Sequence, residues 1–301
     1  MSTDTAQSTV DTDELAKEER RERLKRAWSR LSQSTLSLVG FSMIGLLFII
    51  AIFAPVLAPY PEDASGAIDF ARASQAPSLE HPMGTDTEGR DILSRVIFGT
   101  RIALLMGFVV LTIAISLGVT LGLIAGYVGG KTNALIMRVT DVFLAIPPTL
   151  LALAVIAATR PSLWYAMLAI AASWWTWYAR LIQGEVLSIK ENEFIEASRS
   201  LGAGWFHITF REILPNAIGP ITVKATLDMG FVILVGAGLA FLGLGAQEPT
   251  ADWGLMIATG RAHVRTYWWM ATFPGLAISF AVLGFNLVGD GLRDVLDVEV
   301  E

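Results

Sequence analysis

The chain has 301 residues, 53% of them hydrophobic and only 17% charged, with a formal net charge of -6. That balance lies outside the range of soluble globular domains and places the chain in lipid. The lack of cysteine excludes disulfides, thiolate metal sites and cysteine nucleophiles, and the acidic balance argues against the clustered basic surface that nucleic acid requires.

Residues 1–35 are polar and of mixed sign, without the short apolar stretch of a cleavable leader, and read as a cytoplasmic tail. A membrane-spanning helix needs about 20 mostly apolar residues, because only a helix satisfies its own backbone hydrogen bonds in hydrocarbon. Six windows qualify: Leu36 to Ala58, the stretch between Arg101 and Lys131, Ala134 to Ala158, the stretch between Arg160 and Arg180, Ile218 to Leu244, and the stretch between Arg265 and Asp290. The expected organisation is an all-α integral membrane protein. It has a first transmembrane helix at 36–58, an extracytoplasmic loop at 59–100, a five-helix core at 101–290 that includes a polar cytoplasmic segment at 183–216, and a cytoplasmic tail at 291–301. With the N-terminus inside, the inner segments carry about twice the Lys and Arg of the outer ones, so both termini are expected in the cytoplasm.

The outer loop mixes Gly, Asp and Arg from His81 to Arg95, and His81, Gly84, Asp86, Arg90 and Asp91 are expected to order it and to cap the second helix. In the second span Gly118, Gly122 and Gly126 fall at i, i+4 and i+8, one smooth stripe for close approach of another helix. Gly129 to Thr132 resembles the tail of a phosphate-binding loop, but Ala125 stands where that motif needs glycine, and a tight turn between helices is expected. Pro147 and Pro148 interrupt the third window, either as a packing kink or as a break lining a pathway. Trp174, Trp175 and Trp177 close the fourth, as an aromatic belt at the interface.

Between the fourth and fifth spans, Phe194, Ile195, Ala197, Ser198 and Leu201 recur at helical spacing, Gly202 can end the helix, and Trp205 and Phe206 offer apolar anchors. A short helix of this kind on the inner face suits docking of a soluble partner, and an amphipathic connector is the plainer alternative. In the fifth span Lys224 and Asp228 lie one turn apart, as a neutralising pair or as pathway-lining charges. Asp290, Arg293, Asp294 and Asp297 cluster just beyond the last span. His81, His207 and His263 stand apart, so neither a metal site nor a histidine-based active site is expected.

Glu196, Ala197 and Ser198, followed by Gly202 and then Leu214 and Pro215, resemble the EAA motif of ABC-importer permeases. Ser198 replaces the motif's second alanine, and Glu212 occupies its usual isoleucine position, with Ile213 one place later. His81 to Asp86 with Gly89, Arg90, Asp91, Ser94 and Arg95, Phe241 to Gly245 with Gln247, Pro249, Trp253 and Gly254, and Asn286 to Asp294 with Asp297 resemble the dipeptide, oligopeptide and nickel branch, specifically the second permease of the pair.

The resemblance implies a type I importer permease fold and a non-catalytic subunit that forms half of a translocation pathway. Glu196, Ala197, Ser198, Gly202, Trp205, Leu214 and Pro215 would couple it to ATPases, with Lys224 and Asp228 as pathway candidates. It further implies a homologous permease as heterodimer partner, two cytoplasmic ATPases that hold the ATP and Mg2+, and an extracytoplasmic solute-binding protein, with no cofactor on this chain. The His81 to Arg95 stretch would then have receipt of solute as the alternative to a structural role. An ion-coupled secondary transporter is the rival reading; it calls for ionisable groups at mid-membrane and inverted repeats, and only Lys224 and Asp228 meet the first condition. Peptide, nickel and sugar remain open as cargo.

Overall fold

The computed structural model describes residues 34–297, and the expected N-terminal tail lies almost wholly outside them. Nine helices carry the architecture of the described residues: α1 (Thr35–Leu57), α2 (Ile92–Val128), α3 (Gly130–Leu144), α4 (Pro148–Ala157), α5 (Leu163–Ile189), α6 (Glu193–Ser200), α7 (Leu214–Phe241), α8 (Trp253–Gly260) and α9 (Trp269–Asp297). Among the described residues four helices are long and apolar enough to cross a membrane, and the bent pair α3–α4 adds a fifth span if counted as one. The remaining expected crossing, the fourth window, corresponds to α5, long enough at 27 residues but rich in Trp and Tyr.

Several boundaries differ from the sequence windows, each for a local reason. Helix α2 begins at Ile92 rather than after Arg101, because Asp91 caps it by accepting hydrogen bonds from the Ser94 amide and hydroxyl, both at 2.7 Å. The third window is not one straight span. Pro147 and Pro148 have no N–H to bond the preceding turn, and each disfavours helical angles in the residue before it, so α3 and α4 meet at 84°. Helix α5 continues to Ile189, which puts Trp174 and Trp175 in mid-helix, where both are buried in the core; only Trp177 of the expected belt is exposed.

Packing follows the small residues. A Cβ on Gly118, Gly122 or Gly126 would come within 2.4–2.7 Å of α5 atoms, so the glycine stripe is where α2 and α5 lie against each other. Helix α1 rests on α9 in the same way, with Gly40 against Leu287 and Val288 and Gly291 against Ser37. Pro55 within α1 leaves the Ala51 carbonyl without its helical donor, and Arg101 Nε of α2 donates to that oxygen at 2.6 Å. Between α2 and α3 the chain turns at Gly129 and Gly130, both at positive φ, which is the turn expected there.

Candidate functional site

At the end of α2 away from Ile92, a second apolar cluster holds the α5–α7 connection. Leu123 of α2 and Ile182, Val186 and Ile189 of α5 enclose Ile195, Ile208, Ile213 and Ala217. Ile195 is fully buried and anchors α6, while Glu196, Ala197 and Arg199 are exposed, the Arg199 guanidinium lying over the Tyr127 ring of α2 at 5.9 Å. The helix ends at Gly202, whose φ of 86° is left-handed and whose missing Cβ would meet nothing within 4 Å, so backbone conformation and not crowding requires glycine here. Phe194, Leu201, Trp205 and Phe206 are all exposed around this turn, Leu201 at 90%.

The chain re-enters the bundle through a helical turn at Trp205–His207, a π turn at Ile208–Ile213 and then α7, which starts at Leu214 and Pro215. Ile213, which stands one place after the motif's isoleucine position, is fully buried at the end of the π turn. Ser198 and Glu212, the two departures from the motif, meet: Ser198 Oγ donates to Glu212 Oε1 at 2.5 Å.

The Ile92 end of α2 carries a folded cap. His81 is fully buried, and its Nδ1 lies 2.9 Å from Asp91 Oδ1. Asp86 accepts from the Glu88 and Arg90 amides and, at 2.6 Å, from Arg90 Nε, while Arg90 Nη1 donates to Glu248 Oε2 at 2.7 Å. Gly84 has φ 74° and would push a Cβ within 2.7 Å of the Trp269 ring, whose Nε1 donates to the Thr85 carbonyl. Asp63 accepts from the Asp91 amide at 2.8 Å. Burial pushes the Asp63 carboxyl above its ordinary range, against the lowering pull of that amide and of Arg72. Arg95, 1% exposed, donates to the carbonyls of Asp63, Pro249 and Thr250.

Within the span, Lys224 Nζ lies 3.1 Å from Asp228 Oδ2, and the ammonium also sits over the rings of Trp177 and Tyr178 at 5.7 and 5.4 Å. A second pair joins Asp141 of α3 to Arg180 of α5.

The structure thus brings the expected coupling residues from Glu196 to Trp205 onto one exposed turn, with Leu214 and Pro215 at the root of α7, and brings His81, Gly84, Asp86, Arg90 and Asp91 into one network at the other end. Sequence reasoning missed Asp63, Glu248 and Trp269 as members of that network, and the Asp141–Arg180 pair. Glu248 and Trp269 are distant from the loop in sequence, and nothing local marks them; an acidic residue inside an apolar window was the available signal for Asp141. Among the described residues no group of His, Asp and Glu could hold a metal ion.

Residues 118–301 match the family described as binding-protein-dependent transport system inner membrane component, and residues 22–77 match the N-terminal transmembrane domain of oligopeptide transport permease C. The dipeptide transport system permease protein DppC of Alkalihalophilus pseudofirmus is 43% identical over 277 residues, covering 92% of this chain and 90% of the relative. The glutathione transport system permease protein GsiD of Escherichia coli O6:K15:H31 is 42% identical over 274 residues, covering 91% and 90%. One chain of the inward-facing methionine ABC transporter MetNI shares the fold, with a TM-score of 0.57 at 20% identity over 69% of this chain and 97% of that one.

Proposed function

The chain belongs to the family of binding-protein-dependent transport system inner membrane components, the permeases of ABC importers, and on that premise we propose that it forms half of a pathway for peptides, with Glu193 to Phe206 as the lever that ATPases move. Its second half is a homologous permease, the ATP and Mg2+ belong to two cytoplasmic ATPases, and a solute-binding protein delivers cargo at the cap. Both termini and α6 face the cytoplasm. The relatives' names, dipeptide and glutathione permease, support the cargo class.

One observation carries the coupling role: α6 is anchored from beneath by Ile195 while Phe194, Leu201, Trp205 and Phe206 stay exposed around a glycine turn. Exposed aromatic and aliphatic groups on a short, firmly rooted helix suit insertion into a shallow cleft of a soluble partner. Because Ile195 shares its cluster with α2, α5 and α7, displacement of α6 is transmitted directly to spanning helices.

In the assembled transporter Gly202→Leu should loosen ATPase attachment or uncouple hydrolysis from uptake, since a residue with Cβ pays about 1–2 kcal/mol in the left-handed region. Glu196→Lys should do the same by reversing a charge on the presented face. Uptake, ATPase copurification and solute-stimulated hydrolysis measure the outcome, and wild-type values of all three in both variants would remove the segment from the mechanism.

A further inference from the structure

One exposed face of α2 runs from the cap toward the middle of the helix as the floor of a furrow. Arg101, Leu105, Phe108, Thr112 and Ser116 fall three or four residues apart on it, and all are exposed. Helix α1 walls one side, with the Ala51 carbonyl on Arg101 and the Phe48 ring 6.1 Å from that of Phe108. The furrow widens into two open grooves. The upper one, about 380 Å³, lies between Ser65 of the cap, Phe98, Arg101 and Ile102 of α2, and Pro249 and Thr250 of the loop before α8. The lower one, about 530 Å³, lies between Phe48 of α1, Phe108 and Thr112 of α2, Met229 of α7 and Phe285 of α9.

The two grooves differ in chemistry. Arg101 spends Nε on the Ala51 carbonyl and its guanidinium lies over the Phe98 ring at 5.8 Å, but neither Nη has a hydrogen-bond partner among the described residues. No carboxylate lines the upper groove. The lower groove has no charged lining, and the Thr222 and Thr226 hydroxyls on its α7 wall donate back to the carbonyls of Ile218 and Thr222. Pro249, exposed and outside any helix, sets the level of the upper groove, because exposed non-helical backbone belongs among headgroups and water and not in hydrocarbon. From Arg101 to Thr112 the helix rises about 16 Å, close to one leaflet of a hydrocarbon core about 30 Å thick.

We propose that this furrow seats one phospholipid of the cap-side leaflet, with its phosphate on the free guanidinium nitrogens of Arg101 and an acyl chain running past Leu105 and Phe108 into the lower groove. A guanidinium presents paired N–H donors that match two phosphate oxygens at once. An acyl chain leaves no polar group unpaired in the lower groove, whereas a peptide would bring amides and charged termini that find no charged partner there. A net anionic headgroup such as phosphatidylglycerol suits the upper groove, since the ammonium of phosphatidylethanolamine meets no carboxylate in its lining. Seated there, the lipid bridges α1, α2 and α7.

The test uses the assembled transporter in vesicles of phosphatidylethanolamine with phosphatidylglycerol as the minor component, both carrying the same acyl chains. The photoreactive amino acid p-benzoylphenylalanine, placed at Phe108, inserts into nearby C–H bonds on illumination, and mass spectrometry of this chain identifies what it has captured. The same group at Leu105, also exposed on the furrow, gives a second measurement that does not depend on Phe108 tolerating the change. The captured lipid should be enriched in phosphatidylglycerol about fivefold over the vesicle. Arg101→Gln, which keeps a donor for the Ala51 carbonyl but removes the charge, should return the captured lipid to the composition of the vesicle. Capture of another subunit or of added dipeptide in place of lipid, a phosphatidylglycerol share equal to that of the vesicle, or an enrichment indifferent to Arg101→Gln would overturn the proposal.

Discussion

Ser198 and Glu212 each depart from the EAA pattern, and each departure taken alone places a polar group where the motif has an apolar one. In the structure they compensate. The Ser198 hydroxyl donates to Glu212 Oε1, His207 Nε2 stands 3.4 Å from the same oxygen, and Glu212 Oε2 is buried without a hydrogen-bond partner. The carboxylate is therefore already under-solvated, and Ser198→Ala should cost about 1–3 kcal/mol by removing a donor it retains. Replacing both, as in Ser198→Ala with Glu212→Ile, should recover most of that loss, because no buried polar group is then left unpaired. Thermal unfolding midpoints of the purified transporter carrying each single change and the pair measure this; additive losses would show that the contact is incidental.

At the scale of elements, membrane helices lack the hydrophobic drive that joins soluble ones and rely on close contact between small residues. Gly122 lies where a Cβ would be 2.7 Å from the Ala179 carbonyl and 2.8 Å from Ile182 Cβ, whereas Gly45 of α1 has nothing within 4 Å. Gly122→Leu should therefore force α2 and α5 apart at a cost of about 1–3 kcal/mol or more and lower the assembled amount of transporter. Gly45→Leu should leave that amount unchanged, and quantitative blotting of the purified complex compares the two. The stripe of small residues was legible from spacing alone, but its partner was not: the sequence does not say which of the other helices supplies the complementary surface.

At the scale of the molecule, the cap and α6 occupy opposite ends of α2, a helix of 37 residues and hence about 55 Å long. Such a length exceeds the hydrocarbon core, which supports the proposal that the two sites lie on opposite sides of the membrane. A reporter inserted at Ser74 should be extracytoplasmic and one fused after Glu301 cytoplasmic, read by side-specific labelling of intact cells; finding both on one side would refute the proposed orientation. The sequence by itself determined that the chain is membrane-embedded, where most spans run, and that a short amphipathic helix lies between α5 and α7. These properties depend on the length of apolar runs and on helical spacing, which are local. Only the tertiary structure decided where α2 begins and which charges are paired across long stretches of chain. Arg90 finds Glu248 across 158 residues and Arg180 finds Asp141 across 39. Arg95 lies within α2 because carbonyls from residues 63, 249 and 250 converge on it. The free energy of a charge near lipid is set by the groups that fold around it, and those groups are not its neighbours in the chain.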